Sequence, residues 1–259
     1  MGNVFNIHKK KSSSYRYKFK KFCGQGVSGS VCKHYDKVTN RYVAIKKVSL
    51  SDTEVWYQEK DILQELSDIH PAFLFYYNYF QEKNYLYIVM EYAKGQSLHE
   101  ILKKTIISEK SAKNIFYQLV EAMSIAHNLN IIHRDLKPEH IIIYKRKVKI
   151  LDWGYAVFSD TPNLTPVGSP YYSSPEILSV NNPILNTSND VWALGIILYL
   201  MLTGRRLFNE KNTQTLFEKI KDFEYNLEDS HISYEAKSLL RKILISHQMR
   251  ITCEDILKD

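Results

Sequence analysis

Cysteine is scarce: Cys23, Cys32 and Cys253 are the only three in 259 residues. An odd count without CxxC spacing excludes a disulfide framework and a structural zinc site, and it fits a reducing compartment. Long hydrophobic runs are missing as well. The longest, Val191 to Leu202, is too short to span a bilayer and reads as a buried core helix. The N-terminus lacks the apolar core of a secretory signal, so an intracellular location, cytoplasmic or nuclear, is expected. No internal repeat is visible. Hydrophobic residues make up 44% and charged residues 24%, ordinary values for one large domain or two small lobes and not those of a disordered or collagen-like chain. Acidic residues are the minority, 28 against 35 Lys and Arg, for a net charge of +7. That mild excess is compatible with acidic partners, membrane surfaces or polyanionic ligands and selects none of them.

The pattern changes along the chain. Residues 1–17 are basic and serine-rich, with Lys9, Lys10 and Lys11 followed by three serines, and read as a flexible tail. From Lys18 to Tyr92 the chain is mainly β. Runs at Lys18–Phe22, Ser30–Tyr35 and Arg41–Val48 are separated by a glycine-rich segment and a turn at Lys37–Asn40. A helix follows, with Ser51 and Glu54 as a capping box and Val55, Ile62, Leu63 and Leu66 at helical spacing. Two more strands are expected at Phe75–Gln81 and Tyr85–Tyr92. After Tyr92 the pattern is helical. Ser108 is a plausible N-cap, and Ala112, Ile115, Phe116, Leu119, Ala122, Met123 and Ala126 share one apolar face. Short strands at Ile141–Tyr144 and Val148–Leu151 precede a long loop to Pro175. The expectation is a small β-rich lobe, 18–92, and a larger helical lobe, 93–259, with a ligand cleft.

Gly24-Gln25-Gly26-Val27-Ser28-Gly29-Ser30-Val31 fits G-x-G-x-x-G-x-V. Glycines let the backbone approach phosphates closely and offer N–H donors. A dinucleotide-binding loop would need a helix directly after the glycines; a second strand follows here, so that reading fails. A glycine-rich hairpin turn without a ligand stays open on this motif alone. Val43-Ala44-Ile45-Lys46 comes next. A lysine ending an apolar strand can be an exposed edge residue, but the glycine loop upstream makes Lys46 a phosphate ligand. It needs an anion to orient it, and Glu59 on the following helix is the candidate, although an isolated Glu there would read as a solvated helix-face carboxylate.

His133-Arg134-Asp135-Leu136-Lys137-Pro138-Glu139-His140, Asp152-Trp153-Gly154 and Ser174-Pro175-Glu176 follow in order. With them the chain, from about residue 17 to 259, resembles a eukaryotic protein kinase of the Ser/Thr type. The resemblance implies a bilobal α+β fold and ATP-dependent phosphorylation of protein substrates in signalling. It implies ATP and Mg²⁺ as ligands, an upstream kinase as a further partner, and no nucleic acid. It assigns phosphate binding to Gly24, Gln25, Gly26, Val27, Ser28, Gly29 and Lys46, with Glu59 pairing Lys46. It makes Asp135 the catalytic base, Lys137 the group that neutralises the transferred phosphoryl, and Asp152 the metal ligand. It places Met90 as gatekeeper, Glu91 and Ala93 as adenine contacts, and Val31, Ala44 and Ile142 around the ring, where ordinary core packing is an equal reading. Ser169 and Glu139 would contact substrate. Glu176 would pair with Arg250, and Leu63, His133 and Trp153 would form the apolar stack of an assembled site.

The chain departs from the family at two positions. Trp153 stands where Phe is usual, a change of packing only. His140 stands where Asn normally gives an oxygen to a second Mg²⁺. Magnesium prefers oxygen, whereas imidazole suits softer metals, so Mn²⁺ becomes an alternative ion. A pseudokinase scaffold, holding nucleotide with little turnover, is therefore the rival reading. Leu164 to Tyr172 resembles the calmodulin-dependent and AMP-activated kinase group. In that resemblance Thr165 is the activation-loop phosphosite, with Arg134 as its partner and Thr161 as a rival. Ser97 stands where a substrate-reading Glu is common. With Asp259 nine residues after Arg250, no autoinhibitory helix is expected there. Membrane contact is expected only if Gly2 is acylated, for which Asn6 is an unfavourable residue.

Overall fold

The computed structural model describes residues 13–26, 29–50, 53–161, 166–178, 183–229 and 232–259. The chain divides into two compact units, residues 1–56 with 76–92, and residues 57–75 with 93–259.

The first unit is an antiparallel sheet in the order β1-β2-β3-β5-β4, formed by β1 (Tyr17–Gly26), β2 (Gly29–Asp36), β3 (Arg41–Ser49), β4 (Tyr76–Glu82) and β5 (Tyr85–Glu91). Alternating apolar residues give the sheet two distinct faces. Ala44 lies opposite Met90, and Lys46 lies opposite both Val31 and Ile88, so these five residues share one face. On the other face Ile45 and Val89 pack with Tyr17 and Val43, and Tyr77, Phe80 and Tyr87 cover them. Phe80 stacks on Tyr17 and on Tyr87, with ring centroids 5.7 and 4.7 Å apart.

The expected flexible tail reaches too far along the chain. Ser13–Arg16 form a helical turn, α1, and β1 begins at Tyr17. The cause is Asp36, a buried carboxylate at the end of β2. Arg16 donates to it from Nε at 2.9 Å and from Nη2 at 2.8 Å, and Thr39 Oγ1 adds a third bond at 2.7 Å. Burial alone would raise the Asp36 pKa, but these bonds outweigh it and hold the carboxyl well below the usual range. β1 also runs past the expected Phe22 to Gly26, with irregular register between Phe19 and Lys21 and between Phe22 and Gly24. The glycines therefore belong to the hairpin itself.

The second unit is mainly helical. It contains most of α2 (Thr53–Leu66), then α3 (Leu98–Leu102), α4 (Glu109–Asn128), α5 (Thr187–Thr203), α6 (Thr213–Lys221), α7 (Tyr234–Ile243) and α8 (Cys253–Ile256). Two short sheets join it: β6 (Gln96–Ser97) with β8 (Ile141–Tyr144) and β9 (Lys147–Ile150), and β7 (Ile131–Ile132) with β10 (Val157–Phe158). Ser108 caps α4 as its sequence predicts, accepting from Ser111 N. Val191–Leu202 lies within α5, which is apolar on almost every side and is the core helix of this unit. No described helix is long and apolar enough to cross a membrane. Ser51 lies outside the described residues, as does the Glu54 side chain, so the expected capping box lies outside them as well.

Residues 57–75 were expected with the β-rich lobe but group with the helical unit. Backbone and side-chain hydrogen bonds explain this. Ile150 N donates to Ala72 O and Lys149 Nζ to Phe73 O, both at 2.8 Å. His70 pairs with Glu121 on α4 at 3.2 Å, and the Phe73 ring meets Trp153 edge-on.

Candidate active site

Asp190, in the first turn of α5, organises the loop that carries the chemistry. Its carboxylate accepts from His133 N at 2.8 Å and Arg134 N at 3.0 Å. His127, in the last turn of α4, adds its Nε2 at 3.0 Å. Burial would raise the Asp190 pKa, yet the His127 bond and the loop amides hold it below its usual value. A fully buried anion with three donors fixes the loop backbone. It also holds Arg134 in the left-handed region, at φ +70°, where a non-glycine residue is strained.

His133 continues the scaffold. Its Nδ1 accepts from Asp135 N at 3.3 Å, so its Nε2 carries the proton donated to Leu151 O at 3.1 Å. The ring lies 4.6 Å from Trp153, and Leu63, His133 and Trp153 are all buried. Trp153 thus does the packing expected of an aromatic at that position. The next-door Asp152 is also left-handed, at φ +58°.

The loop presents Asp135 with both oxygens engaged. Lys137 Nζ donates to Oδ2 at 2.7 Å, and Ser169 Oγ donates to Oδ1 at 2.9 Å. Lys137 Nζ also reaches Ser169 Oγ at 2.9 Å, closing a three-residue network. Gly168 makes the approach possible. At φ +105° it favours glycine, and a Cβ there would stand 2.6 Å from Arg134 O. Arg134 Nη1 donates to Tyr155 O at 3.3 Å, and burial lowers the guanidinium pKa.

His140 sits beneath this network. Its Nδ1 is 3.0 Å from Asp135 O, and its Nε2 is 3.3 Å from Asp152 Oδ2. Burial pulls its pKa below the usual histidine value; Asp152 opposes that shift, while His133 and Lys137 reinforce it. For a metal ion the donors are unequal. Asp152, with a side chain 32% exposed, offers the hard oxygen that magnesium takes. His140 offers nitrogen, which does not fit a second magnesium. Among the described residues no group of three or more His, Cys, Asp or Glu converges to hold a metal by itself.

In the sheet unit, Val31, Ala44, Lys46 and Met90 share the face described above. Lys46 is 3% exposed and Met90 6%. Gly29 has φ +131°, and a Cβ there would stand 2.3 Å from Lys47 O, so the close approach of β2 to β3 requires glycine. Gly24 and Gln25 lie opposite Val31 and Ser30 on the same hairpin. Glu91 ends β5. Val27, Ser28 and Thr165 lie outside the described residues. In the helical unit Glu59 is buried on α2, Ala93 opens the segment after β5, and Ile142 is in β8. Glu139 pairs with His99 at 3.2 Å. Ser97 caps α3 through a reciprocal box with Glu100, which explains why a small polar residue stands there. Thr161 Oγ1 accepts from Gln58 at 3.1 Å. Glu176 pairs with Arg250 through both guanidinium nitrogens, as its motif implies. The reading of the sequence missed His127 and His99. Each lies in the last turn of a helix with no motif around it, and only the fold reveals its carboxylate.

A fixed carboxylate, Asp135, thus stands beside an ammonium and a hydroxyl, on a loop held by the buried Asp190. A family model of the protein kinase domain matches residues 17–259. The chain is 34% identical over 269 aligned residues to a probable serine/threonine-protein kinase KIN1 homolog of Enterocytozoon bieneusi, covering 98% of this chain and 44% of that protein. It is 38% identical to a probable serine/threonine-protein kinase, HSL1, of Saccharomyces cerevisiae, over 80% of this chain and 14% of that protein. It is 35% identical to calcium-dependent protein kinase 29 of Arabidopsis thaliana, over 93% of this chain and 48% of that protein. The chain therefore belongs to the protein kinase family. It spans half or less of the length of these relatives.

Proposed function

We propose that the chain transfers the γ-phosphoryl group of ATP to a serine or threonine hydroxyl of a protein substrate, in signalling. The observation that carries this is the Asp135–Lys137–Ser169 network, with distances of 2.7–2.9 Å. In this reading the substrate hydroxyl oxygen attacks the γ-phosphorus while its proton passes to an Asp135 oxygen. The bond to the β-phosphate oxygen breaks, and ADP leaves. Lys137 balances charge on the moving phosphoryl group. Ser169 holds Asp135 in one rotamer, so the base meets the hydroxyl in a fixed orientation. Lys46, with Glu59 as the expected partner, would hold the α- and β-phosphates, and the glycine hairpin would offer backbone N–H groups. Asp152 would hold the ion. When bound, Mg²⁺ neutralises charge across the phosphates.

The relatives' names support this reading, since each is called a protein kinase, and they lend nothing to the pseudokinase alternative. Intracellular location follows the same reading. The test is radiolabelled transfer from ATP to a general protein substrate, with phosphoamino-acid analysis. Phosphoserine or phosphothreonine is expected from the wild type, and a loss of at least about 10³-fold in Asp135→Asn, about 4 kcal/mol of transition-state stabilisation. Nucleotide binding without transfer in the wild type would favour the scaffold instead.

A further inference from the structure

We propose that the groove between α4 and the β8–β9 turn docks an acidic peptide segment of a partner protein, a short run of clustered Asp or Glu beside apolar side chains. This site uses only the fold of the helical unit and stands apart from the kinase reading. Tyr144 pairs with Lys147, so Lys145 and Arg146 are the two residues of the turn. Both are left-handed, at φ +49° and +65°. A two-residue hairpin turn with positive φ at both positions favours Asn-Gly, and long side chains there are strained. The chain nevertheless places two cations at that tip, and Lys147 adds a third. Strain at a surface turn has no stabilising use and points to a role for the side chains it presents.

The tip is also held in place. Gln118 on α4 donates from Nε2 to Arg146 O at 2.9 Å, and its Oε1 accepts from Val148 N at 3.2 Å. The same Nε2 donates to Asn114 Oδ1 at 3.0 Å, one turn back along the helix. The cations therefore stand at a fixed height over α4, which lowers the entropic cost of engaging a ligand. The groove beside them has a volume of about 380 Å³, and Pro71 and the exposed Tyr117 give it apolar surface. Its one lining carboxylate, Glu121, is already engaged. His70 Nδ1 accepts from Ala72 N at 3.2 Å, so Nε2 donates to Glu121 at 3.2 Å. Lys145, Arg146 and Lys147 are exposed, and among the described residues none of them enters an ion pair. Three such cations beside one engaged carboxylate are complementary to an acidic ligand. The concavity decides its kind. A membrane meets a flat or projecting basic surface, whereas a groove of this size admits peptide side chains. The turn lies at the opposite end of the hairpin from the Ile141–Ile150 pair, which adjoins His140 and Leu151, so the groove is separate from the candidate active site.

The probe is a short fluorescein-labelled peptide of Glu interleaved with Leu and Phe, titrated with the full chain and read by anisotropy. Its twin carries Gln in place of every Glu. The acidic peptide should bind the wild type at least about tenfold more tightly than the twin, and its affinity should fall as salt rises. The double variant Lys145→Asn/Arg146→Gly removes two cations and installs the residues the turn prefers. It should bind the acidic peptide at least about tenfold more weakly, while its thermal midpoint stays level or rises by about 1–4 °C. A loss of binding in a protein at least as stable as the wild type cannot come from misfolding. Tyr117→Ala, on the groove side of α4, should weaken the same peptide at least about threefold. Absence of acidic-peptide binding to the wild type, equal affinity for the two peptides, or equal affinity of the wild type and the double variant overturns the inference. Vesicles of anionic phospholipid that bind the wild type and not the double variant, where the peptide binds neither, overturn it in favour of a lipid surface. Each of these results leaves the kinase reading in place.

Discussion

Asp190 shows how much a single buried carboxylate can set. Two consecutive loop amides and one histidine depend on it, and it is buried. Asp190→Asn removes the charge and turns part of the acceptor into a donor facing amide N–H groups. The expected cost is about 2–4 kcal/mol of stability, read from denaturant midpoints, with transfer lost in the protein that remains folded. Gly168 is the steric counterpart. Gly168→Ala places a carbon against Arg134 O and forces an L side chain to φ +105°. A strain of about 1–3 kcal/mol follows. Because Ser169 is the next residue, we expect at least a tenfold fall in turnover with nucleotide affinity retained, measured by initial rates and nucleotide titration. These two positions differ in how they read. Asp190 adjoins the apolar run Val191–Leu202 that reads as a core helix, but that run does not show what the carboxylate binds. His127 is invisible, because a histidine near a helix end is ordinary until the fold brings a buried carboxylate to it.

At the scale of elements, the Glu176–Arg250 pair ties the segment before α5 to the chain after α7. Arg250 also donates to Ser188 O in the first turn of α5 and to Ile243 O and Ile245 O, so a single guanidinium satisfies carbonyls at and just beyond the C-terminal end of α7. Glu176→Gln leaves that guanidinium buried with a neutral partner and should cost about 3–5 kcal/mol. Its pH dependence has a definite sign. Burial would raise the Glu176 pKa, but Arg250 outweighs it and holds the value below the ordinary 4.5. The stabilisation is therefore complete above the ordinary value and disappears as pH falls through the lower, folded one. Chemical denaturation should show the wild-type advantage over Glu176→Gln full at pH 7 and shrinking below pH 4. Elements with a strong period were legible: α4 with its Ser108 cap, α5 as a core helix, and the strands around Lys46. The turn α1 was not. Its reason is a contact between Arg16 and Asp36, residues far apart in sequence, and no local pattern encodes it. The grouping of residues 57–75 failed for the same reason, since donors on β9 and a carboxylate on α4 decide it.

For the whole molecule, the order of motifs made the family legible and left the metal chemistry open. The structure brings Lys137 and Ser169 onto Asp135. What motif order could not supply was the orientation of His140, because that depends on which carbonyl its ring meets. On the proposed function, this chain is an active phosphotransferase despite that histidine. The most direct measurement is transfer of γ-phosphate from radiolabelled ATP to a protein substrate, with Mg²⁺ and with Mn²⁺ in parallel and Asp152→Asn as the control. Phosphoserine or phosphothreonine should form in the wild type and fall to background in the control. Nucleotide binding with no phosphate transfer under either ion would contradict the claim.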